Sequence, residues 1–244
     1  MLSISESQAI ESALNSLFQL QNMKYVTVSA LALLSYDCLQ TLEEEISLVW
    51  PSKFTFGKAL YFLNRYAAFF DTALLTHTYI VGGSPSFCRA SLHVFAYASC
   101  YGVLTAEVIL MMRAWAVWER TRLVAALLIF LFLVDALVSP FILRTLFFGF
   151  SVTTSPLPGL KGCLYQLPNN TIYLDFLLII ITECITLLLF AIKIVPRSIR
   201  LRSTALGAIR CNGIFYFIVI LAASVMNLVV ILASPVELRF VGGA

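Results

Sequence analysis

Charge is scarce in this sequence. Asp, Glu, Lys and Arg make up 12% of its 244 residues, about half of the roughly 25% that a soluble domain carries. That is too little to cover a globule with a wetted surface. Histidine is scarcer still: His77 and His93 are the only two, and both fall near the ends of apolar stretches, so no metal site of the usual ligand spacing can be built. A phosphate-cradling glycine loop, a dinucleotide-binding glycine pattern and a nucleophile elbow are all missing. These gaps leave no catalytic residue to nominate, and neither an enzyme nor a cofactor is expected. The net charge of +3 is too small to suggest a nucleic-acid partner. A cleavable signal peptide of the usual form is also missing. Met1 to Asn22 holds Glu6 and Glu11, with no basic start and no long apolar core, so targeting is expected from the first span itself.

What the sequence has instead is apolar length. Hydrophobic residues make up 60% of it, and the mean hydropathy is +0.92. Six apolar stretches predict an all-α, polytopic transmembrane helix bundle in a lipid bilayer. They run over about 25–42, 58–79, 92–118, 123–146, 171–195 and 213–233. Each can cross about 30 Å of hydrocarbon at 1.5 Å per residue with some tilt, and only helices keep their amides paired there. The expected organisation is an outer segment 1–23, a helical domain 24–238 and a tail 239–244. With the N-terminus outside, eleven of the sixteen Lys and Arg residues fall on the cytoplasmic side, as the positive-inside rule requires. That topology fits a multi-pass protein of the plasma membrane or another secretory-pathway membrane. It also puts the sequon Asn169-Asn170-Thr171 outside, where Asn169 is a candidate for glycosylation. Cys88 and Cys163 fall on the same oxidising side and are expected to form a disulfide, two free thiols being the alternative.

The informative side chains are the charged ones at bilayer depth, each costly there without a partner or a water-filled cavity. Asp71, Glu107, Asp135 and Glu183 fall near the middle of spans two to five, with no Lys or Arg at that level. They form either a set of separately hydrogen-bonded carboxyls or one shared polar site for a proton, a cation or a basic ligand. Nearer the cytoplasmic mouth, Asp37 is placed to pair with Arg65 or Arg113 and clamp the helix ends. The stretch from Glu43 to Gly57 mixes acids with aromatics and is expected to lie along the interface. The basic run Lys193 to Arg210 faces anionic inner-leaflet lipid or a cytoplasmic partner.

Tyr36-Asp37, Thr41-Leu42-Glu43-Glu44-Glu45, Trp50 and Phe62-Leu63-Asn64-Arg65-Tyr66 carry a resemblance. Together they resemble the multi-spanning membrane proteins of basidiomycete fungi known only as domain of unknown function 6533. Weaker likeness continues through Arg113-Ala114-Trp115-Ala116-Val117-Trp118, Thr182-Glu183 and Met226-Asn227-Leu228. The resemblance implies a seven-helix, receptor-like design with no established activity, here expected to stop before its last helix. Span three ends in Arg113-Ala114-Trp115 rather than an acid-Arg-Tyr switch, and span six has neither an internal proline nor a lysine for retinal. An ordinary rhodopsin-class receptor is thus not expected. The leading expectation is a non-enzymatic receptor-like or sensor-like membrane protein with an unknown ligand. The rivals are a transporter or proton-coupled carrier built on the four carboxylates, and a truncated form without activity of its own.

Overall fold

A computed structural model describes residues 4–148, 150–154, 162–166, 171–200 and 205–233. Among them are six long helices: α1 (Ile4–Glu44), α2 (Phe56–Ile80), α3 (Pro85–Val117), α4 (Arg122–Leu146), α5 (Ile172–Arg200) and α6 (Ala205–Ala233). Two four-residue strands, β1 (Ser151–Thr154) and β2 (Cys163–Gln166), pair antiparallel between α4 and α5, with Thr154 opposite Cys163. The first helix differs most from expectation, since it begins at Ile4 and so takes in residues 4–23 of the predicted outer segment. From Leu20 onward its buried face runs through Leu20, Met23 and Thr27.

Four of the helical segments are long and apolar enough to cross a membrane: Pro85–Val117, Arg122–Leu146, Ile172–Ile194 and Phe215–Leu232. α1 and α2 fall short of that measure, α2 because Lys58, Arg65 and Asp71 interrupt it. Large apolar side chains such as Leu123, Leu137 and Phe141 on α4 stand exposed, as they do when the surrounding solvent is hydrocarbon.

The chain divides into two compact units. The first comprises Met1–Gly102 with Phe147–Pro168, and the second Val103–Leu146 with Asn169–Ala244. In the first, α1 lies against α2, and Thr76 donates its hydroxyl to the carbonyl of Thr27 (3.4 Å). Thr55 caps the start of α2 by accepting from the amide of Lys58 (3.3 Å), which frees that helix from the preceding turn. At the far end of α2 the hairpin is pinned down. Cys88 at the start of α3 is disulfide-bonded to Cys163, and the Tyr165 hydroxyl donates to the Cys88 carbonyl (3.2 Å). Tyr165 also sits against the rings of Tyr79 and Phe150.

Two glycines make this docking possible. Gly82 and Gly162 have φ of 66° and 139°, and their backbones meet so closely that a Cβ on Gly82 would lie 2.8 Å from the Gly162 nitrogen. A Cβ on Gly162 would lie 2.7 Å from the Tyr79 carbonyl oxygen. Neither position has room for a side chain.

The second unit is built on one face of α5. Phe190 and Ile194 pack with Leu110, Met111 and Ala114 of α3, Val124 and Leu128 of α4, and Phe217 of α6. The Trp118 indole donates to the Leu189 carbonyl (2.8 Å), and the Lys193 ammonium lies 4.8 Å from the Trp118 ring centre. Pro140 inside α4 offers no N–H to the carbonyl four residues back, a gap that helices in lipid tolerate when neighbours re-satisfy the freed group.

Two outcomes follow for the hairpin. Gly82→Ala and Gly162→Ala should each cost about 1–3 kcal/mol, read as a lower thermal midpoint of the solubilised protein; an unchanged midpoint in both would contradict the close approach. Burial pushes the Tyr165 phenol up to about 12, with the nearby Ser91 hydroxyl pulling the other way. The folded protein therefore keeps this proton where the unfolded chain, titrating near 10, has lost it. The stabilisation is complete below pH about 10 and should drain away between about 10 and 12. Tyr165→Phe should remove that high-pH dependence from the unfolding curve.

Candidate functional site

Two polar constellations stand out, one in each unit. The first sits where α1 gives way to α2. Cys38, Thr41 and Glu45 follow at helical spacing and share one face of α1. At Glu45 the helix widens into a π-helical turn, Glu45–Val49, closed by the Trp50 amide donating to the Glu45 carbonyl five residues back (3.0 Å). Such turns are rare and frequent at functional sites. Of the three successive acids, Glu43 and Glu44 are exposed and only Glu45 is buried.

The Glu45 side chain is 1% exposed and forms an ion pair with Arg65 of α2, Oε2 to Nε at 3.0 Å. Its other oxygen accepts from the Tyr66 hydroxyl (2.9 Å) and the Trp50 indole (3.3 Å). Arg65 in turn donates to the Cys38 carbonyl (3.3 Å) and to the Thr41 hydroxyl, and its guanidinium lies 5.8 Å from the Tyr61 ring centre. Lys58 closes the turn from below, donating to the carbonyls of Trp50 (2.9 Å) and Ser52 (2.8 Å). A buried carboxylate is tolerable when a counter-charge and further donors surround it, and Glu45 has both. Together these contacts form a latch across the α1–α2 hairpin.

The second constellation gathers carboxyls from three helices of the second unit. Glu107 of α3 is 3% exposed, Asp135 of α4 0% and Glu183 of α5 7%. Asp175, one helical stretch before Glu183 on α5, joins them: Glu107 feels the charges of Asp135, Glu183 and Asp175. Glu183 accepts from the Ser224 hydroxyl of α6 (2.9 Å). Thr182 lies beside Asp135, and Ser139 beside Asp175. Both oxygens of Glu107 and both of Asp135 are buried without a hydrogen-bond partner, as is one oxygen each of Asp175 and Glu183. Among the described residues no three His, Cys, Asp or Glu side chains stand close enough to hold a metal ion.

The expected residues are thus distributed unevenly. Glu107, Asp135 and Glu183 share one unit, whereas Asp71 belongs to the first, where it accepts from Ser99 (3.3 Å). In the clamp, Glu45 takes the place expected of Asp37. Asp37 stands exposed, about 100° around the helix from the Cys38 stripe, and only its backbone carbonyl is engaged, by Thr41 (2.9 Å). Arg113 belongs to the second unit, where it lies over the Tyr216 ring at 4.5 Å. Asn169 and the side chains of 195–210 lie outside the described residues. Glu45 was legible from its spacing to Cys38 and Thr41. Asp175 and Ser224 carried no signal beyond being polar in apolar segments.

A helical bundle with four helices, among the described residues, apolar enough to cross a bilayer defines an integral membrane protein. Within it, residues 25–70 match the model of a family described only as a family of unknown function (DUF6533). That match covers the α1–α2 hairpin and contains every residue of the latch. No curated protein and no solved structure matches the chain.

The latch makes a quantitative prediction. Glu45→Ala leaves Arg65 without its counter-charge and should cost about 3–5 kcal/mol, whereas Asp37→Ala should stay within about 0.5 kcal/mol. Denaturant unfolding in detergent, followed by circular dichroism, compares them. Equal losses would return the clamp to Asp37.

Proposed function

We propose that this chain is a receptor-like membrane sensor, not an enzyme, in the seven-helix design its sequence resembles. In this reading the N-terminus and the disulfide-pinned hairpin face outward, from the plasma membrane or another secretory-pathway membrane. The observation that carries the reading is the latch. α1 and α2 are tied at one end by Glu45 and Arg65 and at the other by the hairpin packed on Gly82 and Leu20. The latch bonds share one carboxylate and one guanidinium, so they form or break as a set, which is the behaviour of a two-state element. A ligand that shifts the hairpin end then biases the latch end, and the basic run from Lys193 to Arg210 offers the signal to a cytoplasmic partner or to anionic lipid.

The coupling is measurable because Cys38, a free thiol, sits at the latch. In vesicle-reconstituted protein, maleimide labelling of Cys38 should quicken in Glu45→Gln. It should also change in the Cys88→Ala/Cys163→Ala pair, and the combined variant should depart from the sum of the two effects. Labelling that ignores the loss of the disulfide would end the sensor reading. A carrier is the second reading, favoured by the unpartnered carboxyls of the second unit. A sensor gives no steady proton flux in dye-loaded vesicles; a flux abolished by Glu107→Gln would decide for the carrier.

A further inference from the structure

Glu107, Asp135 and Glu183 are drawn from three helices, each more than nine-tenths buried. A carboxylate so enclosed needs a counter-charge or a proton. Among the described residues no ion pair or hydrogen bond brings a counter-charge to any of the three; Glu45 with Arg65 is a pair of the first unit. The described cations of the second unit are engaged or exposed elsewhere: Arg113 on Tyr216, Lys193 on Trp118, and Arg120, Arg122 and Arg144 toward the surface. The neighbours of the three acids are hydroxyls instead, Thr182, Ser224 and, around Asp175, Ser139.

We infer that Glu107, Asp135 and Glu183 form an intramembrane proton-binding site, with Asp175 as the fourth acid facing it. A metal ion calls for several ligand atoms converging on one point, and these acids do not converge in that way. A proton needs only one oxygen and no cavity. It also answers the burial: a bound proton removes the charge that the enclosed, unpartnered oxygens of Glu107 and Asp135 would otherwise carry and gives each carboxyl a donor of its own. The titratable groups facing Glu107 are Asp135 on α4 and Asp175 and Glu183 on α5. α6 contributes the Ser224 hydroxyl. The proton that is held therefore belongs to the group, and its release is felt by α4, α5 and α6 together.

Infrared spectroscopy of the full chain in phosphatidylcholine vesicles tests this directly through the protonated carboxyl stretch. At neutral pH the wild type should show that band. Glu107→Gln, Asp135→Asn or Glu183→Gln should remove part of its intensity, while the exposed control Glu43→Gln leaves it intact. The amide band of the same spectra reports whether each variant keeps its helices. Should all three fail that check, Ser224→Ala should shift the frequency of the band by removing the hydroxyl on Glu183. Absence of the band in the wild type would overturn the inference. So would a band unchanged in every folded acid variant, or, where none folds, unchanged in Ser224→Ala. The measurement reads binding at equilibrium, so its failure leaves the coupling between latch and hairpin untouched.

Discussion

Lipid offers a buried charge nothing, so every ionisable group that this bundle encloses has to be answered from within the protein. The two units answer differently. In the first, Glu45 meets Arg65, and four further bonds fill in around the pair. Removing one partner of such a set strands the other as a buried charge without compensation. In the second unit the acids have hydroxyls and one another, and no cation among the described residues. Hydroxyls can orient a carboxyl, but they cannot neutralise it. The first arrangement is closed and the second is open to something mobile and positive.

Helix α5 shows how the open arrangement is held in place. Its buried face runs through Ile179, Thr182, Glu183, Thr186, Phe190 and Ile194. The polar half of that face carries the carboxyl group, and the apolar half packs into the core with α3, α4 and α6. Core packing thus fixes the rotation of α5, and that rotation sets where Glu183 points. A helix rotated by one residue would turn Glu183 about 100° away and break the apolar contacts of Phe190 and Ile194 at the same time. The stability of the bundle and the geometry of the acids are one constraint.

Much of this was legible in the sequence, and the gaps have physical causes. α2 was expected over 58–79 and spans Phe56–Ile80; α4 was expected over 123–146 and spans Arg122–Leu146. Both are bounded by turns that apolar counting finds well. The start of α1 was missed by some twenty residues because Met1 to Asn22 carries Glu6 and Glu11 and no unbroken apolar run, and a count of apolar length does not register a helix of mixed character. The hairpin left no trace, since strands of four residues are too short for alternation to register and their docking depends on Gly82 and Gly162, distant in the chain. Three of the four acids share a unit, yet choosing Asp37 for the clamp was an error of rotation. Depth along a span says nothing about which face a residue occupies, and the spacing of Cys38, Thr41 and Glu45 carried that information.

The family match gains a physical meaning from the latch. Thr41, Glu45, Trp50, Arg65 and Tyr66 are among the residues that carry the resemblance, and they contact one another. A motif made of mutual contacts specifies how two helices are joined, and its chemistry is already satisfied by its own members. What such a motif can transmit is a change in geometry between the ends of α1 and α2. The unspent chemistry lies beyond residues 25–70, in the carboxyls of α3, α4 and α5. The family match therefore identifies the joint between α1 and α2, and the acids without partners belong to the later helices.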